Sequence, residues 1–139
     1  MECMDGRIAK LEKTLKKASF VSHAYIFGSV AAGKPGPLSD IDIAVSFKPM
    51  DRAEMAKKKL YLVNKISSVL GTDKFDLVVM NTAGTNMKFS IIKEGKVLKD
   101  SPHRIEDEVG VISAYLDRKY YDDIYDSALV DRVVARGLL

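Results

Sequence analysis

The sequence predicts an α/β or α+β fold: one sheet with helices packed mainly on one side and a long helix at the end. Three observations point there. Short β-branched and aromatic runs at residues 21–27, 40–47 and 75–80 read as strands. Between them lie longer stretches whose apolar residues recur at helical spacing. Caps, glycines and prolines separate the two kinds of segment, giving the order αβαβαβαβα.

Ile8, Leu11, Leu15 and Ala18 fall at i, i+3, i+7 and i+10, so residues 5–18 form an amphipathic helix with a lysine-rich outer face. The strand VSHAYIF at residues 21–27 ends at Gly28-Ser29, which opens a short helical turn. Pro35-Gly36-Pro37 must end that turn, because two prolines so close cannot sit inside a helix. DIDIAVSF at residues 40–47 is the second strand. Asp51 with Glu54 three residues on resembles a capping box; it starts a helix that runs to about Leu70, where Gly71 supplies the stop. FDLVVM at 75–80 is the third strand, followed by a short helix over 85–94 and a short strand over 96–98. Ser101-Pro102 is a good helix entry, with Ser at the N-cap and Pro in the first turn. Ile105, Val109, Ile112, Leu116, Tyr120 and Ile124 then trace one face of a long helix, a stripe expected to be core or a dimer contact.

The 139 residues suffice for one sizeable core and leave no room for a separate substrate domain. With 47% hydrophobic and 29% charged residues, the chain reads as a globule; disorder and collagen-like repeats are excluded. No apolar run approaches the ~20 residues of a membrane helix, and residues 1–10 carry no stretch suited to a secretory signal. Cys3 is the single cysteine, so an internal disulfide is excluded and a cytoplasmic location is expected. The net charge of +3 is unevenly spread: residues 1–99 carry +7 and residues 100–139 carry −4. A basic body suits an anionic ligand such as a nucleotide, and an acidic tail suits a basic partner. The run Lys57-Lys58-Lys59 reads as helix surface, so the sequence points away from nucleic acid.

The chemistry concentrates in residues 28–42, joined by Asp76. Residues two apart on a strand share a face, so Asp40 and Asp42 project together while Ile41, Ile43 and Val45 face the core. Two neighbouring carboxylates disfavour strand structure unless something positive compensates, and a hard divalent ion such as Mg²⁺ does so. If the third strand pairs beside the second, Asp76 completes a three-acid cluster able to hold two metals. Gly28-Ser29 ends a strand and starts a helical turn, a place where backbone N–H groups bind phosphate. The segment Gly28 to Lys34 also matches G-x-x-x-x-G-K, but Pro35 replaces the Ser or Thr that a P-loop needs.

Gly28-Ser29, ten residues, then Asp40-Ile41-Asp42 resembles the G-S-x10-D-x-D signature of the polymerase-β-like nucleotidyltransferases. The runs Ala24 to Phe27 and Ser39 to Val45 are similar to the minimal nucleotidyltransferases (MNT) in particular. The resemblance covers about residues 5–100. It implies the nucleotidyltransferase fold, a small mixed sheet, with residues 1–100 as its core and 101–139 as a helical extension of the same domain. It also implies that Asp40, Asp42 and Asp76 bind two Mg²⁺ ions and act in catalysis, Asp76 accepting the nucleophile's proton. Gly28 and Ser29 would hold the β,γ-phosphates of ATP, with Lys34 and Ser39 as further nucleotide contacts.

The implied reaction is attack of a hydroxyl on the α-phosphorus of ATP, releasing pyrophosphate. Many minimal members are antitoxins of HEPN ribonuclease toxins, some of which they silence by AMPylating a tyrosine, so a HEPN toxin is the implied partner. The acidic final helix, with Tyr115, Tyr120, Tyr121 and Tyr125, suits docking to such a toxin or to a second copy. Relatives often carry arginines directly after G-S, where this chain has Val30-Ala31-Ala32. Transfer to a small molecule such as an aminoglycoside, and neutralisation of a toxin by contact alone, are the alternative readings. His23-Ala24-Tyr25 echoes the H-x-Y ending of the HEPN motif, but no arginine stands four to six residues before it.

Overall fold

A computed structural model describes residues 4–28 and 41–135. Its elements are α1 (Met4–Lys17), β1 (Val21–Phe27), β2 (Ile41–Phe47), α2 (Arg52–Leu70), β3 (Phe75–Val79), α3 (Thr85–Glu94), β4 (Lys96–Lys99) and α4 (Arg104–Ala135). Cys3, Ser29, Lys34, Ser39, Asp40 and the helical turn expected after Gly28 lie outside the described residues.

The four strands form one mixed sheet in the order β3-β2-β1-β4. β1 is antiparallel to both β2 and β4, and β2 runs parallel to β3. The crossover between those parallel strands is α2, whose ends follow the local chemistry. Asp51 Oδ1 accepts the Glu54 N–H at 2.8 Å, and Gly71 takes a left-handed φ of 69° to donate its N–H to Ser67 O at 2.9 Å.

The main core lies where α1 and α2 cover one face of the sheet. Leu11 and Leu15 of α1 and Leu62, Ile66 and Leu70 of α2 close on Ile41, Ile43, Val45 and Val79. On the other face a smaller cluster of Tyr25, Ala44, Met80 and Ile91 seats α3. α4 then packs along α3, with the Phe89 and Tyr115 rings stacked at 3.8 Å between centroids.

Three expectations are corrected. β3 stops at Val79 rather than Met80, because Met80–Thr82 turn as a 3-10 helix. The Asn81 amide there accepts the Phe47 N–H at 2.8 Å and donates to Phe47 O at 3.0 Å, replacing a strand partner by a side chain. α4 starts at Arg104, two residues beyond Pro102; Ser101 receives the N–H groups of His103 and Arg104 in the turn before it. The apolar stripe of α4 is not core in the single chain, since Ile105, Val109 and Leu116 are 64%, 57% and 55% exposed. No helix among the described residues is long and apolar enough to cross a membrane.

Candidate active site

Strand register brings three of the sequence-selected residues to one end of the sheet. Phe27 is paired with Asp42 across β1 and β2, so Gly28 follows directly beside that aspartate. Asp42 is in turn paired with Asp76 across β2 and β3. Paired residues on neighbouring strands share a face, and the strands lie ~4.8 Å apart. Two carboxylates therefore stand side by side next to the end of a third strand. Asp42 is half-buried, whereas Asp76, on the edge strand, is exposed.

Gly28 is required twice over. Its φ of 79° lies in the left-handed region, which a side chain opposes. A Cβ there would also collide with Asp42 Oδ2 and stand 3.1 Å from Asp42 Cγ. The absent side chain leaves the strand end open against the carboxylate. At the sheet edge, Lys59 of α2 lines a depression of about 320 Å³ together with Asp73, Phe75 and Asp76.

The donor set fits a hard divalent cation. Both groups are carboxylates, like charges in register oppose each other unless a cation lies between them, and a missing Cβ keeps backbone close. Among the described residues no group of three or more His, Cys, Asp or Glu side chains is assembled, Asp40 being outside them.

The opposite end of the same sheet face is built differently. Four residue steps along β2, about 13 Å, separate Asp42 from Ser46, which pairs with His23. A cleft of about 600 Å³ opens there between the sheet, α3 and the first turns of α4. His23 is buried, with Nδ1 3.0 Å from Ser22 Oγ and Nε2 3.7 Å from Asp107 Oδ2. Its burial outweighs the nearby carboxylates of Asp107 and Glu108 and lowers its pKa. The Tyr25 hydroxyl donates to Glu108 Oε1 at 2.6 Å, and burial together with that acceptor raises its pKa. Arg104 closes the cluster on Asp100 and Glu108 at 2.7 and 3.1 Å. These groups tie α4 to the sheet, in keeping with the expectation of His23 as a packed strand residue.

The chain matches the family described as Polymerase beta, Nucleotidyltransferase over residues 9–104. Among solved structures it is similar to a toxin–antitoxin with AMP-PNP, at 27% identity and a TM-score of 0.66 over 91% of this chain and 99% of that one. It is likewise similar to a chain of the tri-AMPylated Shewanella oneidensis HEPN toxin in complex with MNT antitoxin, at 25% identity and a TM-score of 0.65 over the same shares. A third is the toxin–antitoxin MntA–HepT, at 26% identity and a TM-score of 0.63, again over 91% and 99%. The comparison with curated proteins gives no match.

Proposed function

The chain belongs to the polymerase-beta nucleotidyltransferase family, and from that premise we propose that it transfers AMP from ATP to a tyrosine hydroxyl of a cognate HEPN ribonuclease toxin. The observation that carries the reading is the in-register pair Asp42 and Asp76 beside the left-handed Gly28. Support for the nucleotide comes from the AMP-PNP complex among the neighbours, and support for the acceptor from the AMPylated toxin in another.

In this reading Asp42 and Asp76, with Asp40, hold Mg²⁺; the ion, when bound, neutralises triphosphate charge and favours the attacking oxygen's anionic form. Gly28 offers its backbone to the β,γ-phosphates, with Ser29, Lys34 and Ser39 assigned to the same nucleotide. The acceptor oxygen forms a bond to the α-phosphorus while the bond from that phosphorus to the bridging oxygen breaks, and pyrophosphate leaves. The hydroxyl proton passes to the carboxylate of Asp76, whose exposed position on the edge strand leaves it open to an incoming acceptor.

The test is incubation with Mg²⁺ and ATP labelled on the α-phosphate, together with a HEPN protein encoded beside this chain. Label on the partner, reduced at least about 100-fold by Asp42→Ala, is the expected result. Toxin neutralised without label would replace transfer by binding alone, the reading that Val30-Ala31-Ala32 favours because it lacks the arginines of relatives.

A further inference from the structure

On the sheet face away from Asp42 and Asp76, α1 and α2 leave between them a groove of about 610 Å³. Lys10, Lys13 and Lys17 of α1 line one wall, at i, i+3 and i+7; Lys58 and Lys65 of α2 line the other. No acidic residue among the described ones lines it. Lys13 and Lys17, four residues apart on one helix face, repel each other by a few tenths of a kcal/mol. The groove also holds aromatic rings. Phe20 sits edge-on to both Phe47 of the core and Tyr61, at 5.8 and 6.0 Å, and Lys58 Nζ lies 4.9 Å from its centroid. Tyr61 is thereby braced from below while remaining 55% exposed.

Five lysine ammonium groups along one groove present compact point charges that suit a chain of phosphates. An exposed, braced tyrosine offers a stacking surface to an unpaired base. Charge and ring together favour a strand whose phosphates and bases are both accessible. We propose that the lysine-lined groove between α1 and α2 binds single-stranded nucleic acid through its phosphates, without sequence preference, on the face opposite the aspartate pair. This reverses the expectation drawn from Lys57-Lys58-Lys59, because only packing adds the lysines of α1 to one member of that run. It does not depend on the nucleotidyl-transfer reading, whose residues lie on the other face.

The experiment is a fluorescence anisotropy titration of the full chain against a labelled 12-residue oligouridylate at 50 and 200 mM salt. Engagement of about four phosphates gives a salt slope of about −2.8, so affinity falls about 50-fold between those conditions. Lys13→Glu with Lys17→Glu weakens binding at 50 mM salt at least about tenfold, and Tyr61→Ala weakens it about fivefold or more through lost stacking. Lys58→Gln with Lys65→Gln, a neutral pair checked for folding by circular dichroism, gives the same direction if charge reversal unfolds α1. Absent binding at 50 mM salt, or affinity unchanged in both lysine pairs, overturns the proposal. A polyglutamate peptide that binds as tightly as the oligonucleotide overturns the choice of nucleic acid and leaves an acidic protein segment as the occupant.

Discussion

α1 and α4 carry the same kind of apolar stripe and meet opposite fates. In α1, Leu11 and Leu15 are fully buried against the sheet and α2. In α4, the residues from Ile105 to Ile124 at equivalent spacing stay exposed along the helix. What fastens α4 is two polar contacts, Tyr25 to Glu108 and Arg104 to Asp100, and one aromatic stack, Phe89 on Tyr115. Periodicity therefore reports that a helix has a face, and says nothing of whether its own chain supplies the cover. The matched family region, ending at residue 104, stops where α4 begins.

The contrast can be broken first at its buried side. Leu15→Ala should destabilise the chain by about 2–5 kcal/mol, since the cavity lies under two helices and the sheet. Thermal unfolding should show this as a fall of about 10 °C or more. A fall of only a degree or two would mean that α1 is held as loosely as α4.

Tyr25→Phe comes next, because it removes the hydroxyl that joins β1 to α4 while keeping the ring. The expected loss is about 1–2 kcal/mol, measured by denaturant titration. Amide exchange should rise in the first turns of α4 before it rises in α2.

Acidification tests the same junction. The pKa of His23 is lowered in the fold from its ordinary 6.5, so below about pH 6.5 the unfolded chain binds the proton more readily than the folded one. The stability attributable to His23 is thus intact above 6.5, declines as pH falls through that value, and stops declining below the folded pKa. Melting curves from pH 7.5 to 5 should show this loss in the parent chain and a smaller one in His23→Gln.

The smallest effect is expected on the exposed stripe. Val109→Asn or Leu116→Asn should change stability by no more than about 0.5 kcal/mol in the isolated chain. A loss above about 2 kcal/mol would show that α4 buries this face in solution.

Much of the fold is legible along the chain because its signals are local. A β-branched and aromatic run favours a strand, Asp51 caps α2 with its own side chain three residues from the N–H it accepts, and Gly71 accepts a left-handed turn that other residues resist. Part of the candidate site is legible in the same way: Gly28 directly follows a strand, and Asp42 and Asp76 interrupt apolar strand runs. Met80 escapes such reading, since a strand-like residue turns away when Asn81 finds Phe47, distant in sequence.

By itself, then, the sequence determined which segments are helix and strand, which strand faces are apolar, and where acids and a glycine cluster along the chain. Only the tertiary structure decided that β2 and β3 run parallel in a register that sets Asp42 against Asp76. It also decided that lysines from α1 and α2 share one groove, and that the stripe of α4 stays uncovered. The reason is physical: propensity and capping act over a few residues, whereas register, charge proximity and burial depend on which distant surfaces close on each other.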